Sequence, residues 1–143
     1  MESLFGGEAF QTYAICVAVL AIKMMLSSVY TGYQRITNSA FATPEDAERA
    51  GVEWKSDDAV ERALRIQRND LENIPLFIGL GLIYVLSGGS SFGMAAYGWV
   101  FVVARIGHTV SYALANQPVR GFSFAIGLLV NLGLAVNVLE KNF

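Results

Sequence analysis

The feature that most constrains this chain is residues 60–86, whose first half is densely polar and whose second half is an apolar run. No turn signal separates the halves, so the sequence predicts one long helix that starts in a polar phase and continues into a membrane. Its polar half carries Arg65, Arg68, Asn69 and Glu72 at i, i+3, i+4 and i+7, a spacing that places them on one helix face. Two cations, an amide and a carboxylate at the mouth of a membrane helix indicate a receptor for a small zwitterion.

Three other apolar segments are long enough to cross a membrane, at about residues 10–35, 94–115 and 119–140. With the span at about 59–86 and a connection over 36–58, they predict an all-α integral membrane bundle of four helices, one domain over residues 1–143. Hydrophobic residues make up 54% of the chain, more than a soluble domain of this size could bury. Lys23, inside the first segment, is expected to extend its ammonium toward the membrane surface.

Composition also excludes several classes of function. The net charge of −2 gives no indication of nucleic-acid binding. The single cysteine, Cys16, and the single histidine, His108, predict neither a disulfide framework nor a metal site. The acidic N-terminus predicts that the first apolar run is a retained helix and not a signal peptide.

The connections predict both orientation and local structure. Lys and Arg concentrate in and beside the first and third connections, which places these in the cytosol and both termini on the other side. Thr43 and Pro44 predict the start of a short helix that ends near Gly51. Ser56 or Asp57 is expected to cap the long helix that follows.

The four spans bring cations to one cytosolic layer, and nearby carboxylates are too few to pair with all of them. These cations are Arg35, Arg65, Arg68, Arg105 and Arg120. Surplus positive charge in a half-buried layer indicates an anionic ligand. A structural alternative stays open: Asn69 and its neighbours could join helices, His108 could be a packing histidine, Tyr112 an interface aromatic, and Arg62 a contact to lipid headgroups.

Several motifs together resemble the MAPEG family, the membrane-associated proteins in eicosanoid and glutathione metabolism. They are VERALR at 60–65, NDLEN at 69–73, KMML at 23–26, FA with PED at 41–46, ARI with HT at 104–109, and RGFSF at 120–124. Each motif alone is weak, but the combination is specific and spans nearly the whole chain.

The resemblance implies a homotrimer of four-helix subunits in a lipid membrane, with glutathione held between neighbouring subunits on the cytosolic side. The positions that match the family's glutathione-binding residues are Arg35, Arg65, Arg68, Asn69, Glu72, His108, Tyr112 and Arg120, and Arg105 matches a cation of the same layer. Arg120 is the candidate catalytic residue, since a guanidinium near a thiol stabilises the thiolate.

The implied activity is a glutathione transferase that conjugates the thiolate to hydrophobic electrophiles from the bilayer and can also reduce lipid hydroperoxides. Two alternatives are a prostaglandin E synthase-type isomerase and a non-enzymatic lipid-binding or scaffold protein. Gly121 and Phe124 stand where the synthase has serine and tyrosine, which favours the transferase. Ala47 stands where the mammalian transferase has a stress-sensing cysteine. The expected location is the endoplasmic reticulum in a eukaryote or the inner membrane in a bacterium.

Overall fold

The computed structural model describes residues 6–142, and all of its regular structure over this range is helical. The elements are α1 (Glu8–Thr37), α2 (Pro44–Arg49), α3 (Asp58–Leu86), α4 (Ser91–Ala113) and α5 (Gln117–Asn142). The all-α prediction is therefore confirmed. Residues 1–5 and 143, which the predicted domain includes, lie outside the described residues.

Three of the four long helices, α1, α3 and α5, are long and apolar enough to cross a membrane. The sequence predicted four such spans. Helix α4 is not among the three because Arg105 and His108 lower its mean hydropathy. Both side chains are buried in the bundle, with exposed fractions of 0% and 3%. The charged and polar groups of α4 therefore face protein, which is how spanning helices carry such residues.

Local sequence explains where the helices in the charged half begin. Thr43 Oγ1 accepts a hydrogen bond from Asp46 N at 3.2 Å, so the predicted cap of α2 is confirmed. Of the two candidate caps for α3, Asp57 has the role: its Oδ1 accepts from the backbone N–H groups of Ala59 and Val60 at 2.9 and 3.2 Å. These bonds satisfy donors that the first helical turn leaves unpaired.

The predicted polar and apolar halves of residues 60–86 form one continuous helix, α3, with Pro75 inside it. Helices α3 and α4 each pack against both α1 and α5. Where α3 meets α4, the rings of Phe77 and Phe101 stack with centroids 4.4 Å apart. Helix α1 approaches α4 closely at Gly98, where an added Cβ would lie 2.8 Å from Cys16 Sγ.

The expectation for Lys23 is wrong. Its side chain is buried and its ammonium forms an ion pair with Asp70 of α3. Ser27 Oγ, one turn further along α1, also lies 3.4 Å from the same carboxylate oxygen. Pairing inside the bundle is possible because Asp70 lies on the face of α3 that packs against α1, so the lysine does not need to reach the membrane surface.

Candidate functional site

A cleft of about 380 Å³ opens at the end of the bundle where α3 begins, α4 ends and α5 begins. It is lined by Asp58, Arg62, Arg65, Tyr112, Ala115, Gln117 and Arg120. Three of the predicted site residues, Arg65, Tyr112 and Arg120, therefore meet in one place. The helix ends bring them together, since antiparallel neighbours place the start of α3 beside the α4–α5 turn.

Sequence reasoning missed four of the lining residues, Asp58, Arg62, Ala115 and Gln117. The sequence left Arg62 open as a surface residue or a contact to lipid headgroups, although it precedes Arg65 by three residues and so lies near it on α3. This spacing could have indicated from the sequence that Arg62 belongs with Arg65. Gln117 gave no such indication, because it is the first residue of α5 and its place depends on how the α4–α5 turn folds.

Tyr112 links His108 to Arg120. The Tyr112 and His108 ring centroids are 5.1 Å apart at an interplanar angle of 60°, and the guanidinium carbon of Arg120 lies 4.6 Å from the centroid of the Tyr112 ring. A cation over an aromatic face is attracted by the ring's quadrupole. This stack holds the Arg120 guanidinium at the cleft wall. His108 itself lies beneath Tyr112, out of contact with solvent.

Arg105 lies deeper still and contacts two other helices. Its Nη1 donates to Asn69 Oδ1 of α3 at 2.6 Å, and its Nη2 donates to the backbone carbonyl of Ser123 of α5 at 3.1 Å. The guanidinium carbon is 5.6 Å from the Phe101 ring centroid. Asn69, predicted to share a face with Arg65 and Glu72, thus turns its amide oxygen toward the interior.

The remaining predicted residues do not line this cleft within one chain. Arg68 and Glu72 are exposed on the outer face of α3. Arg35, at the end of α1, lines a separate cleft of about 120 Å³ beside the first connection, together with Trp54, Lys55 and other residues. One chain therefore distributes the predicted set over two clefts and the outer face of α3, while Arg105 and His108 are buried in the interior.

The cleft is suited to an anion. Its walls carry three guanidinium groups, from Arg62, Arg65 and Arg120, against the one carboxylate of Asp58. Within residues 6–142 the only ion pair is Lys23–Asp70, so no side-chain carboxylate there neutralises these guanidiniums at contact distance. Guanidinium groups bind carboxylates with two parallel hydrogen bonds. Over the same residues, no three of His, Cys, Asp and Glu come together in a way that could hold a metal ion.

Known proteins resemble this chain over nearly its full length. The sequence model of the MAPEG family matches residues 13–139. Microsomal glutathione S-transferase 1 is 40% identical in Homo sapiens and 38% identical in Mus musculus, each over 99% of this chain and 96% of the relative. Prostaglandin E synthase from Homo sapiens is 37% identical over 95% of this chain and 91% of the relative.

Proposed function

This chain belongs to the MAPEG family, and on that premise we propose that it is a membrane-bound glutathione transferase that conjugates glutathione to hydrophobic electrophiles. The observation that carries the proposal is the cleft that Arg62, Arg65 and Arg120 line together with Tyr112 and only one carboxylate, that of Asp58. Its surplus of positive charge suits glutathione, which has two carboxylates, one ammonium and a thiol that must ionise. Relatives whose names include glutathione transferase cover almost the whole chain.

Each charged group of glutathione has a candidate partner. Its carboxylates suit Arg35, Arg65 and Arg68, its ammonium suits Glu72, and Tyr112 can donate a hydrogen bond. Asn69 and His108 act from beneath, through Arg105 and the Tyr112 ring. Arg120, half-buried and held against the Tyr112 ring, is the group that stabilises the thiolate, because a neighbouring guanidinium favours the charged form of a thiol.

The reaction needs little more than this thiolate and an electrophile held next to it. The sulfur attacks an electrophilic carbon, a carbon–sulfur bond forms, and the leaving group departs with its electron pair. Holding both reactants together supplies much of the remaining acceleration. The same thiolate can attack a lipid hydroperoxide at oxygen, releasing the alcohol; a second glutathione then gives glutathione disulfide and water.

The exposed face of α3 supports assembly as a homotrimer. Arg68 and Glu72 are exposed there beside apolar Leu76 of the same face, and charged side chains on a membrane helix need a protein or aqueous neighbour. A neighbouring subunit on this face would complete the site with its own Arg35. The positions of Lys and Arg support an orientation in which the cleft faces the cytosol, with α4 crossing the membrane beside the other three long helices. The membrane is the endoplasmic reticulum or a bacterial inner membrane.

A prostaglandin E synthase-type isomerase is the second candidate, favoured by 37% identity to the human synthase. The residues after Arg120 separate the two candidates, since Gly121 lacks a hydroxyl that could assist the thiol and Phe124 lacks the phenol of a tyrosine. We therefore place the transferase first.

The test uses the detergent-purified protein. Glutathione is added in equilibrium dialysis, and conjugation to a chloronitrobenzene is then followed by absorbance. Binding together with conjugation supports the transferase. Binding without conjugation, but with conversion of a prostaglandin endoperoxide, would replace it by the isomerase. Absence of glutathione binding would refute both and favour the lipid-binding or scaffold alternative.

A further inference from the structure

We propose that Arg105 is a positioning residue that fixes the separation of the α3 and α5 walls of the cleft. Its guanidinium donates to Asn69 Oδ1 on α3 at 2.6 Å and to the Ser123 carbonyl on α5 at 3.1 Å. Asn69 follows Arg65 by four residues and Ser123 follows Arg120 by three, so each bond ends one helical turn from a cleft cation. Arg105 therefore joins the two walls just beneath the groups that face the ligand.

Its environment fits this role better than direct contact with the ligand. Arg105 has an exposed fraction of 0%, and no carboxylate in residues 6–142 forms an ion pair with it. A cation inside a membrane bundle is costly, and Arg105 offsets that cost through hydrogen bonds and not through a carboxylate in contact with it. An apolar residue of equal length would lack the rigid planar group that donates hydrogen bonds in two directions at once.

Helix α5 leaves space for the Arg105 guanidinium at Gly127. An added Cβ at Gly127 would lie 2.7 Å from Arg105 Nη2, closer than real Cβ atoms approach, and a tight 3.1 Å from its Cζ. A side chain at this position would push the guanidinium away from Ser123. Gly127 and Arg105 thus both maintain the contact between Arg105 and Ser123, and a substitution at either position should disrupt it.

The consequence for binding rests on the proposed function. Because Arg105 acts through the walls, its loss should weaken every ligand that bridges them, whether or not the ligand has a free thiol. Glutathione and S-methylglutathione share both carboxylates and the ammonium, and they differ only at sulfur. A residue that touched the thiolate directly would distinguish the two ligands, whereas a positioning residue would not.

The experiment measures the dissociation constants of both ligands by equilibrium dialysis. Arg105→Met and Gly127→Ala should each weaken both ligands by roughly 10- to 100-fold, as expected when a positioned group shifts by about 1 Å. The double variant should be no weaker than the worse single variant, because the two changes disrupt the same contact. Arg105→Lys should recover only part of the affinity. Gly133→Ala is the matched control. It lies further along α5, where an added Cβ crowds Tyr97 of α4, and it should leave both dissociation constants unchanged.

A second measurement needs no ligand. Asp58 and Gln117 line the cleft from α3 and α5, so Asp58→Cys with Gln117→Cys can be cross-linked by bis-maleimides of graded length, while native Cys16 is buried. In the double-cysteine protein with native Gly127, only cross-linkers in a narrow range of lengths should react. In the same protein with Gly127→Ala, which keeps the charge of Arg105, this range should broaden.

Unchanged dissociation constants, strictly additive effects, loss of glutathione alone, or an unchanged cross-linking range would each overturn the positioning role. A wild-type protein that binds no glutathione would refute the proposed function instead, and the cross-linking range would still decide for or against Arg105. If Arg105→Met does not fold, Gly127→Ala carries both measurements.

Discussion

Replacing Asp70 by Asn should destabilise the bundle by about 3–5 kcal/mol, the cost of leaving one member of a buried ion pair without its partner. The side chains of Lys23 and Asp70 have exposed fractions of 10% and 1%, so neither can turn to water when the other is removed. Ser27, 3.4 Å from the carboxylate, can bond to an amide but cannot neutralise the ammonium. Coulomb's law gives the same scale, about 4 kcal/mol for a contact pair at an effective dielectric constant of about 20.

Removing both charges should cost far less. In Lys23→Met with Asp70→Leu neither member of the pair is charged, and replacing a whole buried pair by apolar side chains is often neutral. The coupling energy between the two positions should therefore be at least about 2 kcal/mol. Sodium dodecyl sulfate titration in detergent micelles, followed by tryptophan fluorescence, measures the free energy of unfolding. Glu61→Gln, an exposed carboxylate on the same helix, is the control and should change it little.

A cost of Asp70→Asn below about 1 kcal/mol would refute the reasoning, because it would mean that the pair is solvated or easily replaced. Additive losses in the double variant would refute it as well. Either result would also remove the interpretation of Lys23 as a residue that joins α1 to α3 inside the membrane.

Three smaller perturbations test other features. Tyr112→Leu removes both the Tyr112 hydroxyl and the cation–ring contact, whose loss alone should lower glutathione affinity by roughly 2- to 30-fold. Tyr112→Phe removes only the hydroxyl and should therefore weaken binding less; dialysis measures both, and equal losses would remove the Arg120–ring contact from the account. Ala115→Gly should raise the free energy of unfolding by about 0.5 kcal/mol, because Ala115 has φ of 54° in a region that glycine adopts without strain. N-ethylmaleimide should leave conjugation unchanged, since Ala47 offers no thiol and Cys16 is buried; a large rise in activity would contradict this.

The features predicted from sequence are those set by neighbours along the chain. Asp57 could be named as one of two caps because capping depends on the next three residues. The continuity of α3 followed from the absence of a turn signal over residues 60–86. Arg65 and Arg120 could be placed in one layer because helix lengths and short connections bring particular ends together, whereas Tyr112 joined them only through the family resemblance.

The contacts that sequence did not reveal join residues far apart in the chain. Lys23 and Asp70 are 47 residues apart, and Arg105 and Asn69 are 36 apart. Helical spacing tells which residues share a face, but not which face of another helix lies opposite. For that reason Lys23 was assigned to the membrane surface, and although Asn69 was a candidate for joining helices, its partner Arg105 could not be named.

The central claim is that Arg120 stabilises the thiolate of bound glutathione, and ultraviolet absorbance of the thiolate tests it most directly. Purified protein with glutathione at neutral pH should show thiolate absorbance that disappears when a chloronitrobenzene is added and conjugate forms. Arg120→Ala should still bind S-methylglutathione but should show little thiolate and slow turnover, because the guanidinium that favours the charged sulfur is gone. An undiminished thiolate signal and turnover in Arg120→Ala would contradict the account.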